Sequence, residues 1–388
     1  MTLGDNDPFE LAAMTALRQD LHRHPELGFE EVRTSAIVAQ WLEDAGIAVH
    51  RGLGQTGVVG TLQVGTGTRA IALRADMDAL AMPELGDLPY GSTTPNTMHA
   101  CGHDGHTVML LAAARHLARS RNFSGTVHFI FQPAEEGRGG ARAMLADGFL
   151  ERFPIDAVYG LHNMPGLAPD EMAVVAGPQL ASSDSWEVTF HGIGTHGAKP
   201  HLGRDAMTAA AHFLTALHTI VARRVDPLQP AVVSACAIGG GDFRALNVIP
   251  DDVRIGGTAR AYAAGVRDQL ETEIGQLAHG IATSFGITAS YSFTRRIAPV
   301  INDASVTATA LSAAARVTGR PVVTDFPPST AGDDFAEFGA RVPGCYVWLG
   351  NGPAVDGALH HNSRYDFNDD AILTGARYWT TLVEQELV

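Results

Sequence analysis

The chain changes rhythm near Ser183, and that change limits its possible folds more than any other feature. Before it, helical stripes at 8–23 and 34–45 lead into short apolar runs at 58–64 and 70–74; a helix at 107–119, a strand at 126–131, a helix at 139–150 and a strand at 156–161 follow. Strands separated by helices pair in parallel and need cover on both faces, so this part predicts an α/β sheet. From 185 onward the pattern becomes strand 185–191, helix 205–223, strands 231–238 and 253–261, helix 266–285 and strand 287–293. That β-α-β-β-α-β order is the ferredoxin-like split unit. A helix at 305–318, an apolar strand at 345–349 and a last helix at 369–386 then resume the first rhythm. The expected architecture is a mixed-sheet α/β domain made from 1–183 and 294–388, with a ferredoxin-like α+β domain inserted at 184–293.

A chain of 388 residues, 45% hydrophobic and 18% charged, can fill two such cores. Its formal charge of −15 argues against nucleic-acid or anionic-membrane partners, which attract clustered Lys and Arg. The first twenty residues lack a basic segment followed by an apolar core, and no apolar stretch is long enough to span a membrane. Cytoplasm is therefore the expected location. The three cysteines, Cys101, Cys236 and Cys345, are too scattered for a disulfide framework, which fits a reducing compartment and leaves Cys101 free to bind metal.

Polar residues gather where strands of the outer domain should end, the usual ligand-binding edge of an open α/β sheet. Asp76 and Asp78 follow one strand, Glu135 and Glu136 another, and His162 a third. The run 98–106 packs His99, Cys101, His103, Asp104 and His106 into nine residues. A thiolate and an imidazole two residues apart can reach one transition-metal ion. Of the two consecutive carboxylates, one can bind metal while its neighbour moves a proton. Taken singly, each group also has a plain structural explanation: an acidic turn at Glu135 and Glu136, a sheet cap at His162, a surface loop at His360 and His361.

Five motifs taken together resemble the M20 metallopeptidases, in particular the amidohydrolase branch of hippurate hydrolases, N-acyl-amino-acid amidohydrolases and plant auxin-conjugate hydrolases. They are His24-Pro25-Glu26-Leu27-Gly28-Phe29-Glu30-Glu31, Arg74-Ala75-Asp76-Met77-Asp78-Ala79-Leu80, the run from His99 to His106, Phe131-Gln132-Pro133-Ala134-Glu135-Glu136-Gly137 and Tyr365-Asp366-Phe367-Asn368-Asp369. The resemblance spans nearly the whole chain. It implies that the outer domain is catalytic and that metal-activated water cleaves the amide bond of N-acyl amino acids. Two divalent transition-metal ions, drawn from zinc, manganese, cobalt or nickel, would be held by Cys101, His103, Glu136, His162 and a C-terminal histidine. The family places that histidine five residues before the Asp of its last motif, which selects His361 over His360. Glu135 is the implied general base, and Asp76 would orient a ligand, with Asp104 and His106 in support.

The inserted domain carries Gly192-Ile193-Gly194-Thr195-His196-Gly197, which resembles the family's lid motif. It implies that His196 stabilises the tetrahedral oxyanion, commonly in a partner subunit, so a homodimer or higher homo-oligomer is the implied assembly. Asn247 and Arg260 are candidate contacts to the substrate carbonyl and carboxylate, with a strand-end pair satisfied by the domain itself as the alternative. Two departures stand out: Ala81 where proline is usual, and Asp333-Asp334-Phe335 where the family has Glu-Asp-Phe. The dinucleotide-like Gly52-Leu53-Gly54-Gln55-Thr56-Gly57 precedes an apolar strand and opens no helix, so it fails its context. The competing readings are a thiol hydrolase built on Cys101, a dipeptidase or aminopeptidase of the same superfamily, and a metal-dependent binding protein.

Overall fold

The computed structural model describes residues 8–354 and 357–388. In chain order it begins with helices α1 (Leu11–Arg23) and α2 (Val32–Asp44), strands β1 (Ala48–Leu53), β2 (Gly57–Val64) and β3 (Ala70–Asp76), and helix α3 (His103–Ser120). Strands β4 (Gly125–Gln132), β5 (Ala157–Met164), β6 (Met172–Ala173) and β7 (Ser183–His191) come next, then helix α4 (Ala206–Leu217) and strands β8 (Ala231–Gly239) and β9 (Asp252–Ala261). Helix α5 (Ala264–Ser284), strand β10 (Thr288–Ile297), helix α6 (Ala304–Val317), strand β11 (Gly344–Gly350) and helix α7 (Ala371–Glu386) follow. Two compact units result. The larger takes the chain up to Gln179, Ile301–Pro327 and Asp333–Val388; the smaller takes Leu180–Val300 and Pro328–Gly332.

In the larger unit, among the described residues, seven strands form one mixed sheet in the order β1-β2-β4-β3-β5-β11-β6. The central four, β4, β3, β5 and β11, run parallel, while β1, β2 and β6 run antiparallel to their neighbours. Central parallel strands are covered on both faces, and β11 accordingly is buried along its whole length. Helix α3 is buried from His103 to Ala114 and packs between α1 and α7. Register aligns the functional ends of the strands: Asp76 of β3 stands opposite Gln132 of β4, and His162 of β5 opposite Trp348 of β11.

The smaller unit is a four-stranded antiparallel sheet in the order β8-β9-β7-β10, with α4 and α5 packed on it: the ferredoxin-like arrangement. Strand β7 alternates inward and outward, burying Trp186, Val188 and Phe190 against Phe213 of α4 and Leu270 and Ile274 of α5. Asp205 caps α4 by accepting from the amides of Met207 and Thr208. Among the described residues no helix is long and apolar enough to cross a membrane.

Several boundaries differ from the sequence expectation. Helix α3 starts at His103, not 107, so its polar first turn is buried. His162 lies within β5, not after it. The helix expected at 139–150 divides into Gly140–Ala146 and Phe149–Arg152, because Gly148 adopts φ 84 between them. The glycine-rich segment 52–57 spans the end of β1 and the tight turn into β2, a hairpin with no helix after it.

Candidate metal centre

Gly102 separates Cys101 from His103 and opens α3 at φ 85. A side chain is excluded there twice, since L residues avoid that conformation and a Cβ would stand 2.5 Å from both Asn163 Nδ2 and Tyr365 Oη. The turn brings Cys101 and His103 to the end of β5, where Cys101 Sγ lies 3.4 Å from His162 Nε2. One donor atom from each of Cys101, His103 and His162 falls within 4.8 Å of the others. After β4 the chain passes Ala134, also left-handed at φ 56, so that Glu135 and Glu136 diverge. Glu136 turns to His361, with Oε1 3.2 Å from Nε2, and Cys101, Glu136 and His361 form a second three-donor group within 4.8 Å. Glu135 is buried and groups with His103 and Glu136 on one side and with Asp333 and Asp334 on the other.

Two overlapping groups of S, N and O donors suit a pair of transition-metal ions. An orphaned atom fits as well: His103 Nε2 is buried, lacks a hydrogen-bond partner and faces Glu136 Oε1 at 4.0 Å. Such a desolvated atom costs about 1–3 kcal/mol unless a partner is supplied, and a bound cation would be that partner. The ring orientations agree. His103 Nδ1 donates to Asp78 through its carbonyl at 2.9 Å and Oδ1 at 3.1 Å, and His162 Nδ1 donates to the Asn163 carbonyl at 2.8 Å. Both Nε2 atoms are thereby left for the centre. Of the adjacent pair, His361 faces Glu136, whereas His360 Nε2 is held by Asn163 Oδ1 at 2.9 Å.

Burial pushes Glu135 well above the usual carboxylate range, and the carboxylates of Asp333, Glu136 and Asp334 push the same way. A carboxyl group so disposed readily takes up a proton. Burial, against the pull of Arg74, lifts Asp334 to about 8. Burial and the neighbouring His106 hold His162 far below the usual imidazole range, in the neutral form that binds metal.

Asp76 approaches His103 Nε2 at 3.7 Å, but its hydrogen bonds go to His106 Nδ1 at 2.6 Å and Arg74 at 2.7 Å. Asp78, noted in the sequence beside Asp76, is the residue that orients His103, and its Oδ2 also accepts the Glu136 amide at 2.9 Å. Two further residues, to which the sequence assigned no role, brace the centre. Asn163 ties together Cys101 O, His106, His360 and Tyr365. The guanidinium of Arg74, fully buried, joins Gln132, Asp76 and Asp333. A strand-internal Arg among apolar residues was the available signal for it.

The smaller unit holds the other three candidates. His196 and Asn247 are neighbours: His196 pairs with Val248 in a two-residue ladder, and the Asn247 carbonyl accepts from Gly197. His196 Nδ1 accepts the Ala198 amide at 3.0 Å, which leaves the proton on the exposed Nε2. Arg260, near the end of β9, donates to the carbonyls of Ala259 at 2.9 Å and Asp184 at 3.4 Å and to Thr258 Oγ1.

Residues 72–385 match the model of peptidase family M20/M25/M40. The chain is similar to a hippurate hydrolase of Campylobacter jejuni, 40% identical over 94% of each chain. It is similar also to an N-acetyl-L-cysteine deacetylase of Bacillus subtilis, 36% identical over 96% of this chain and 89% of that one. Among solved structures, the YXEP protein of Bacillus subtilis, described as a dinuclear metal binding peptidase, superposes with a TM-score of 0.87 at 33% identity, covering 98% of this chain and 100% of that one.

Proposed function

The chain belongs to peptidase family M20 as a hydrolase of amides, and from that premise we propose that it cleaves the amide bond of N-acyl amino acids. The observation that carries this reading is a buried, proton-seeking carboxylate, Glu135, set beside two overlapping three-donor groups. Cys101, His103, Glu136, His162 and His361 would hold two divalent ions, with zinc, manganese, cobalt and nickel all suited to the donor set. Such ions, when bound, polarise a carbonyl and acidify water. Glu135 takes the proton of the attacking water and returns it to the leaving amine. His196, with its proton fixed on Nε2, donates to the oxyanion, and Asn247 and Arg260 contact the substrate carbonyl and carboxylate. Asp76 acts at one remove, through His106 and Arg74.

The relatives named for hippurate and N-acetylcysteine support an acyl-amino-acid substrate. Three free cysteines support a reducing cytoplasm, and the exposed edge of β8 supports a homodimer. The test is a hydrolysis panel of benzoyl, acetyl and indole-acetyl amino acids on protein reconstituted with each metal. N-acyl amino acids should be the best substrates, and activity should disappear with a chelator. Faster cleavage of free-amine dipeptides would make the chain a dipeptidase instead, and activity that survives metal removal would sink the mechanism.

A further inference from the structure

We propose that Glu31 is a positioning residue for the general base: its carboxylate grips the Ala134 amide and so sets the direction in which Glu135 leaves its loop. The proposal rests on the reading of Glu135 as base. Glu31 stands just before α2, and its side chain is fully buried although its oxygens meet an amide and a hydroxyl, not a cation. Oε1 accepts from Ala134 N at 2.8 Å and Oε2 from Thr56 Oγ1 at 2.5 Å. A buried carboxylate in such a place is costly, and packing alone would be served by an apolar side chain. Its grip falls on a strained point. Ala134 sits at φ 56, a left-handed conformation that L residues avoid, so without a hold on its amide the loop can relax to a right-handed turn and redirect Glu135.

The rest of the loop is built to accept that grip. A Cβ on Gly28 would stand 2.9 Å from Ala134 Cα, so only glycine lets the 24–31 segment come this close. On the far side of Glu135, Asp78 Oδ2 accepts the Glu136 amide at 2.9 Å. Two carboxylates from different segments therefore hold the amides immediately before and after the base. Asp78 secures the half that carries the ligand Glu136, and Glu31 secures the half that carries the proton-transfer group.

The experiment compares Glu31→Gln, which keeps an oxygen for the Ala134 amide, with Glu31→Met, which does not. A misplaced reacting group costs on the order of 100-fold, so Glu31→Met should lose about that in kcat, with KM within about threefold. It should still bind two metals per chain, and hydrogen exchange in the peptide containing Ala134 should accelerate. Glu31→Gln should restore kcat to within about tenfold of the parent. If Glu31→Met fails to fold, Thr56→Val, which frees one oxygen of Glu31, should give a smaller kcat loss at unchanged KM. A normal kcat in Glu31→Met, or in Thr56→Val where only that variant folds, overturns the proposal. So does an equal loss in Glu31→Met and Glu31→Gln accompanied by lost metal, which marks a merely structural role. Glu135→Gln run in parallel separates the two ideas: full turnover there removes the base and this proposal with it, whereas an inactive Glu135→Gln beside a normal Glu31→Met removes only the positioning role.

Discussion

Glu135 and Glu136 are chain neighbours with opposite surroundings, and their chemistry divides accordingly. Glu136 turns one oxygen toward His361 at 3.2 Å and His103 at 4.0 Å, while Glu135 faces Asp333 and Asp334 and is pushed toward protonation. Glu135→Gln keeps the shape but cannot accept a proton. Its kcat should fall by about 10²–10⁴-fold while metal content by elemental analysis stays at two per chain; turnover within a few-fold of the parent would rule Glu135 out as base. Gly102 governs the opposite side of the centre. Gly102→Ala places a Cβ against Asn163 and Tyr365 in a left-handed backbone, so the turn joining Cys101 to His103 must shift. Metal affinity should drop by about 10–100-fold, as when groups orienting the ligands are removed. Titration against a metal indicator checks it, and an unchanged affinity would mean that the turn does not set the site.

Helix α1 reinforces the centre from behind through two side chains. Arg18 reaches Asp366 at 3.0 Å and Asp369 at 2.7 Å, beyond the loop of His361, and His22 Nδ1 bonds Asp104 at 2.8 Å in the first turn of α3. Burial by itself would lower the His22 pKa, but the hydrogen bond to Asp104 and the Glu84 carboxylate 3.5 Å from Nε2 outweigh it and raise the group to about 9. A folded pKa above the unfolded value of about 6.5 adds stability that is complete below pH about 6.5 and is lost as pH rises through about 9. The contribution is of the order of 3 kcal/mol. Urea unfolding of the parent and His22→Gln should therefore differ most near pH 6 and converge above pH 9; a constant difference across that range would contradict the assignment. The same elements show how far a sequence can be read. The central strands were legible because parallel strands buried on both faces are continuous apolar runs, as in β11. Strand β1, which carries His50, Arg51 and Gly52 at an exposed edge, offered no such run and was missed. The start of α3 was hidden because its first turn is filled with polar groups that the site buries. Which of Asp76 and Asp78 orients His103 depends on the path of the chain after β3, and both lie in the same short motif.

At the scale of the molecule, the candidate ligands and candidate base belong to the larger unit and His196 to the smaller, so on the proposed mechanism the assembly decides which chain's site His196 would serve. One edge of the smaller unit's sheet invites pairing. Strand β8 ends its sheet, contains no charged residue, and exposes Val232 and Ile238, with Phe243 almost wholly exposed in the loop beyond. Isolated proteins usually protect such an edge with charges, and its lack of them fits pairing with a second copy. Sedimentation should give a mass about twice the 41.0 kDa of one chain. Ile238→Lys, which places a charge on the edge far in sequence from every ligand, should shift the protein toward the single-chain mass without changing metal content. If His196 serves the partner's site, kcat should fall in step with dissociation and recover at protein concentrations that restore the dimer. A monomeric Ile238→Lys with full kcat would place His196 in the service of its own chain, and a parent protein that sediments as one chain would remove the strand-paired dimer altogether.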